Sequence, residues 1–146
     1  MSLLKLAKRF KKMDIYRLGT AVLVDTKNEV LRLNKEQLLE GKNSLGKNIE
    51  PKYAPNTLKR KLKQGRSGVV DLYDKGDYQA AMKLDIDSKT KHKIYSSNDK
   101  AKLIEAKYSR NGSLYGLNNE SLVEYRGETF MPQLRQRFKE YMNGKE

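Results

Sequence analysis

The sequence predicts an α+β fold, with helices at both ends around a small antiparallel sheet or hairpin. Three observations carry that expectation: an amphipathic pattern over residues 2–13, an alternating stretch over 83–96, and a proline-initiated amphipathic pattern at the end. The 146 residues suit one domain, read as a helical arm over 1–33 and a compact α+β domain over 34–146. Nine Tyr and three Phe spread along the chain argue for a folded core. No internal repeat is visible, which excludes solenoids and propellers.

Each element has its own signal. Leu3, Leu6, Phe10 and Met13 recur at 3–4–3 spacing, which places them on one helical face and the basic residues on the other. A helix this short is marginal in water and calls for a partner surface; its small apolar face favours protein over lipid. Ile15, Leu18, Val22, Thr26, Val30 and Leu33 continue close to a helical repeat, although the β-branched residues within 20–24 keep a strand open as an alternative. Asn34 reads as an N-cap with Gln37 at N3, and Gly41 as the end of that helix. From Lys42 to Pro55 the composition is that of a loop.

Asn56 or Thr57 is placed to cap a short basic helix, Leu58–Lys63, closed by Gly65 and Gly68. A brief apolar segment follows in Val69, Val70 and Leu72. Asp74-Lys75-Gly76 reads as a turn, with Asp77 capping a helical turn through Ala80, Ala81 and Met82. Leu84 and Ile86 alternate with Asp85 and Asp87, a half-buried strand; Ser88–Lys91 forms a polar turn, and Lys93–Ser96 the return strand. Ser97 or Asn98 caps a helix with Leu103, Ile104 and Tyr108 inside. Asn111-Gly112 is a turn, and Asn118 or Asn119 starts a helical segment interrupted near Gly127. The last helix begins near Thr129 with Pro132 in its first turn, carries Met131, Leu134, Phe138 and Tyr141 on one stripe, and stops at Gly144.

The formal net charge is +13, and its placement narrows the possible partners. Lys5, Lys8, Arg9, Lys11 and Lys12 all precede the first acid, Asp14. Lys52, Lys59, Arg60, Lys61, Lys63 and Arg66 fill an acid-free window between Glu50 and Asp71. Two such clusters call for nucleic acid, an anionic surface or an acidic protein face. The candidate contacts are Lys5, Lys8, Arg9, Lys11 and Lys12 in the arm, with Lys59, Arg60, Lys61, Lys63 and Arg66 in the second cluster. If that second cluster neutralised about six phosphates, log affinity would fall with log salt at a slope of roughly −5. Neither helix-turn-helix nor zinc finger is apparent, so sequence-independent contact is the expectation.

Little points to catalysis. The chain has no Cys and one His, His92, set between two lysines in the expected hairpin, so the common zinc sites cannot be assembled. Asp71, Asp74 and Asp77 fall at three-residue spacing, which would suit a magnesium site for phosphodiester cleavage. Turns and N-caps account for each of these carboxylates separately. No phosphate loop or nucleophile elbow is present. The sequence therefore predicts no enzyme, no metal and no cofactor. No apolar run approaches the ~20 residues that span a bilayer, no h-region follows the basic N-terminus, and production in the cytosol is expected.

One segment order is more specific. It runs from a Lys/Gly loop through Val70-Asp71-Leu72-Tyr73-Asp74-Lys75-Gly76-Asp77-Tyr78 and a two-stranded element to Lys107-Tyr108, Tyr115-Gly116-Leu117 and a terminal Phe130-x-Pro132-x-Leu134 helix. With Gln37-Leu38-Leu39-Glu40-Gly41-Lys42-Asn43-Ser44-Leu45-Gly46, this order resembles small virion proteins of tailed bacteriophages, notably the crAss-like group of Bacteroidetes phages. It is similar to neck, head–tail connector or tail-completion proteins, in which an Asp-x-Gly turn opens a helix before a small sheet. The resemblance covers roughly residues 34–142 and leaves the basic N-terminal helix outside. It implies a ring-forming structural subunit of a virion, made in the host bacterial cytoplasm. It would have portal, neck or tail proteins as neighbours, possible nonspecific contact with DNA in a channel, and no catalytic residues. A stand-alone, sequence-nonspecific nucleic-acid-binding protein is the alternative that the charge supports.

Overall fold

The structure, a computed structural model, describes residues 2–88 and 91–145. In chain order its elements are α1 (Leu3–Lys12), α2 (Ile15–Asp25), α3 (Lys27–Leu39), α4 (Pro55–Lys63), α5 (Asp77–Ala80), β1 (Met82–Ile86), β2 (His92–Ser96), α6 (Ala101–Tyr108), α7 (Asn119–Glu124) and α8 (Met131–Met142). A π-helical stretch, Tyr125–Phe130, joins α7 to α8. The fold is α+β, with helices flanking a two-stranded antiparallel hairpin.

Helix α3 is the spine. Val30, Leu33, Asn34, Gln37 and Leu38 are buried, a helical run of i, i+3, i+4, i+7 and i+8. Val30 and Leu33 pack with Leu84 and Tyr125, while Leu38 packs with Ile49, Val70, Leu72, Tyr78, Met82, Ala101, Tyr108 and Leu114. The expected division between residues 33 and 34 thus falls inside one buried helix. Asn34 and Gln37 are interior amides of α3, not the start of a new one. Asn34 Nδ2 donates to Leu114 O (3.1 Å), and its Oδ1 accepts from the Gly116 N–H (3.0 Å). Gln37 Nε2 donates to Gly116 O (2.9 Å), and its Oε1 accepts from the Asn118 N–H (2.8 Å). Residues 114–118 have no strand partner, so these two side chains meet backbone needs that burial would otherwise leave open.

The hairpin forms as its alternation predicts. Met82 and Leu84 face the core, Lys83 and Asp85 face out, and the register pairs Met82 with Ser96 and Ile86 with His92. Opposite charges, Asp85 and Lys93, stand across from each other on the outer face. Asp87 N–H donates to Lys91 O, and the centre of the predicted turn, residues 89 and 90, lies outside the described residues.

Other expectations change as well. Helix α4 starts at Pro55 behind Ala54 rather than at an Asn56 or Thr57 cap, α5 starts behind Gly76, α6 starts behind Lys100, and Leu103 is exposed rather than inside. The strand alternative for 20–24 gives way to helix, α2, capped by Asp14, whose Oδ1 accepts from Arg17 N–H at 3.1 Å. Gly127 does not interrupt the helix; one widened turn carries the chain through it into α8. That turn points both Tyr125 and Phe130 inward, with ring centroids 5.9 Å apart. Thr26, between α2 and α3, donates from Oγ1 to Val22 O (2.8 Å) and accepts from Tyr125 OH (2.7 Å). The N-terminal helices are thereby tied to the C-terminal ones.

Candidate assembly and anion-contact surfaces

The two basic clusters meet different fates. Helix α1 opens with Ser2, whose side chain accepts from Lys5 N–H (3.3 Å), and buries none of its residues. Leu6, Arg9 and Met13, the partly buried positions, share one side of the helix. Leu3, Leu4 and Phe10 are 85%, 67% and 58% exposed. Lys5, Lys8, Lys11 and Lys12 are all exposed.

Arg9 is the anchor. Its Nη1 donates to Tyr141 O (3.0 Å) and more weakly to Met142 O (3.5 Å), the last carbonyls of α8, and Tyr141 OH donates to Arg9 O (3.4 Å). A guanidinium at a helix C-terminus satisfies open carbonyls and complements the helix dipole. Arg9 is therefore held inside the chain while the four lysines face outward. Between the α1–α2 elbow and α8 lies a cleft of about 490 Å³, lined by Lys12, Arg17, Leu18, Arg137 and Tyr141 among others.

In the second cluster, Lys59, Arg60 and Lys63 are exposed on α4. Arg60 stands 4.0 Å from Asp74, an exposed pair that contributes little. Lys61 departs from the expected role: it is 3% exposed and points inward. Thr57, Leu58 and Lys61 form the inner face of α4, so helical spacing alone turns this one lysine toward the core. Its Nζ donates to Asp71 Oδ1 (2.8 Å) and to the Tyr73 carbonyl, and lies 5.1 Å from the Tyr53 ring centroid.

Asp71 gathers the rest. Arg66 Nη1 donates to Oδ2 (2.8 Å), while Tyr53 OH (3.1 Å) and Tyr73 N–H (3.0 Å) donate to Oδ1. The Arg66 guanidinium also stacks on the Tyr73 ring, 3.8 Å from its centroid. Leu72, between them, takes a left-handed backbone (φ 56°), and its N–H donates to Tyr53 OH at 2.8 Å. Burial alone would raise the Asp71 carboxyl, but hydrogen bonds from Lys61, Tyr73 N–H and Arg66 outweigh it and hold it below the usual carboxylate range. Lys61 and Arg66 are thus internal partners of one buried carboxylate. Lys61 is buried there, and Arg66 is partly exposed.

The three carboxylates at three-residue spacing do not converge. Asp71 accepts from Lys61, Tyr53 and Tyr73 at Oδ1 and from Arg66 at Oδ2, Asp74 and Asp77 are exposed, and among the described residues no group of three or more His, Cys, Asp or Glu is placed to hold a metal ion. His92 is exposed at the rim of an apolar groove of about 380 Å³ lined by Ile15, Tyr16, Leu23, Phe130 and Leu134. No described helix is long and apolar enough to cross a membrane.

Two polar arrangements were not foreseen. Tyr78 OH donates to Tyr115 OH (2.9 Å), which donates to Glu105 and accepts from Ser96 N–H (3.2 Å). On the outer side of α3, Arg32 pairs with Glu29, Glu36 and Glu124. The Glu29, Arg32 and Glu36 spacing of three and four residues was a readable signal for part of this cluster; the Glu124 contact spans 92 residues and was not. No protein-family model matches the chain, nor does any curated protein or solved structure.

Proposed function

We propose that this chain is a structural subunit that assembles with copies of itself into a ring, serving as a head–tail connector, neck or tail-completion component of a tailed phage particle. The observation that carries the assembly reading is α1: a ten-residue helix with Leu3, Leu4 and Phe10 open to solvent and no buried residue. A helix of that length is not stable in isolation, and neighbouring apolar side chains left open to solvent are the usual mark of an interface. The phage assignment rests on the segment order over residues 34–142. Four outward lysines on α1 and three cations on α4 suit acidic neighbours or DNA in transit.

Mass photometry of the purified full chain, together with cryo-electron microscopy of particles that contain it, tests this reading. A discrete closed oligomer, and density for it between portal and tail, are the expected results. A chain that stays monomeric at all concentrations and is missing from assembled virions refutes it.

One observation favours nonspecific nucleic-acid binding as a second reading: Lys52, Lys59, Arg60 and Lys63 remain exposed and near one another in sequence. With Lys61 and Arg66 committed to Asp71, about four phosphate contacts remain, so log affinity should fall with log salt at a slope of about −4. A slope near zero, unchanged when Lys59, Arg60 and Lys63 are neutralised, removes that reading.

A further inference from the structure

The carboxylates of α3 and α7 gather on one outward face. Arg32 donates to Glu29 (2.6 and 3.1 Å), to Glu36, and to Glu124 (3.3 Å), so three carboxylates surround a single guanidinium. Glu120, one turn before Glu124 on α7, is exposed and extends the acidic side. Beside these two, Val123 is 68% exposed; Leu122, on the other side of α7, is not part of this face, and Leu39 is open at the end of α3. Besides Arg32, the cations nearby in sequence are Arg126 on the adjoining turn and Lys27 and Lys35 on α3. The patch therefore combines apolar side chains with an acidic surround.

Helix α1 carries the inverse pattern. Its exposed apolar residues are Leu3, Leu4 and Phe10, and its charges are Lys5, Lys8, Arg9, Lys11 and Lys12 with no acid among them. Within its own chain it is anchored by Arg9 on the end of α8, with Leu6 and Met13 partly covered, while Leu3, Leu4 and Phe10 stay open.

We infer that α1 of one copy lies on the α3–α7 face of a second copy, with Leu3, Leu4 and Phe10 against Val123 and the lysines against Glu29, Glu36, Glu120 and Glu124. This rests on the reading of the chain as a self-assembling subunit and names the surfaces through which it does so. The two surfaces are different, so after pairing one copy keeps its acidic face free and the other its α1, and the pair still offers one surface of each kind. Such a heterologous contact continues from copy to copy and closes when the rotation allows, which generates a ring. Charge complementarity fixes the register of contacts of this type and raises the cost of wrong ones.

The test uses the full chain in three versions: Lys8→Glu with Lys11→Glu, Glu120→Lys with Glu124→Lys, and all four together. All four positions lie on exposed or half-exposed helix faces, so the circular dichroism spectrum serves as the check on folding. Sedimentation over a concentration series should show each one-sided reversal weakening self-association by at least about tenfold. The four-fold variant should recover to within about threefold of the original chain, because reversing both sides restores the pairing. Self-association that ignores both reversals overturns this contact while leaving the ring reading standing. A chain that is monomeric throughout and missing from particles overturns both. Vesicles of phosphatidylglycerol and phosphatidylcholine provide the remaining arm: a monomer that binds them, and loses binding in Leu3→Ser with Phe10→Ser, assigns α1 to lipid and overturns the proposal.

Discussion

Replacing Asp71 with Asn separates the two roles that the second basic cluster could have. Asp71 Oδ1 accepts from Lys61, Tyr53 and Tyr73, and Oδ2 from Arg66. An amide can keep only one oxygen. If it keeps Oδ1, its NH₂ opposes the Arg66 guanidinium, a donor facing a donor, and Lys61 is left as a buried cation with a neutral partner. Removing one member of a buried ion pair costs about 3–5 kcal/mol, which at about 2 kcal/mol per molar of urea moves the unfolding midpoint down by roughly 2 M. Lys61→Met should cost less, about 1–3 kcal/mol, because Asp71 keeps Arg66, the Tyr73 amide and Tyr53 OH. The double variant should be more stable than the sum of the two implies, since it removes both the unpaired cation and its former partner. The pH dependence has a fixed sign. A carboxylate whose folded pKa is depressed contributes stability above its ordinary unfolded pKa near 3.9 and loses it as pH falls through the lower folded value, so wild type should weaken below about pH 4 more than Asp71→Asn does. Urea unfolding followed by circular dichroism at neutral and acid pH measures all of this. An unchanged midpoint in Asp71→Asn refutes the reasoning and returns Lys61 to the pool of surface cations; a larger loss in Lys61→Met refutes the ranking of the two partners.

The remaining predictions concern the core and the turn that supports it. Burial, then the Glu105 carboxylate, push the Tyr115 hydroxyl up to about 12, and burial raises Tyr53, Tyr78 and Tyr125 as well. A raised phenol contributes stability in full below its ordinary value near 10 and loses it as pH rises through the folded one, so stability should hold to about pH 10 and then drop. Phenolate absorbance for these residues and loss of helical signal should appear together; complete tyrosine ionisation near pH 10 with the helices intact would contradict this. Gly112 has φ +153°, and an added Cβ would sit 2.6 Å from Nδ2 of Asn43, a fully buried side chain whose Oδ1 accepts from the Leu45 and Lys47 amides. Gly112→Ala should therefore lose about 1–3 kcal/mol in the same urea assay, and a neutral result would show that the 43–47 loop yields.

Local signals carried most of the elements, and long-range ones carried what was missed. The apolar spacing of α1, the alternation of β1, the Asn118 cap and Pro132 in the first turn of α8 are properties of neighbouring residues, and each element forms where they place it. Asn34 and Gln37 misled because a capping box and an inward-facing i, i+3 amide pair have the same spacing. Only the presence of residues 114–118, about 80 positions away, decides between them. Gly127 misled for a related reason: propensity favours a break, but the inward packing of Tyr125 and Phe130 keeps the helix going through one wide turn.

The same distinction governs the charge. An acid-free window in sequence says nothing about which lysine a helix turns inward, nor that the first acid beyond the window, Asp71, is the group that two of its cations serve. What a sequence counts as six contacts, the fold divides into exposed Lys52, Lys59, Arg60 and Lys63 and a structural pair, Lys61 and Arg66. Neutralising the exposed members should therefore change binding and leave stability alone, and neutralising the pair should change stability first. In the arm the division falls at Arg9, which is tied to α8, while the four lysines around it stay exposed. A cation that holds the fold together and one that meets a partner are indistinguishable by composition, and burial is the property that tells them apart.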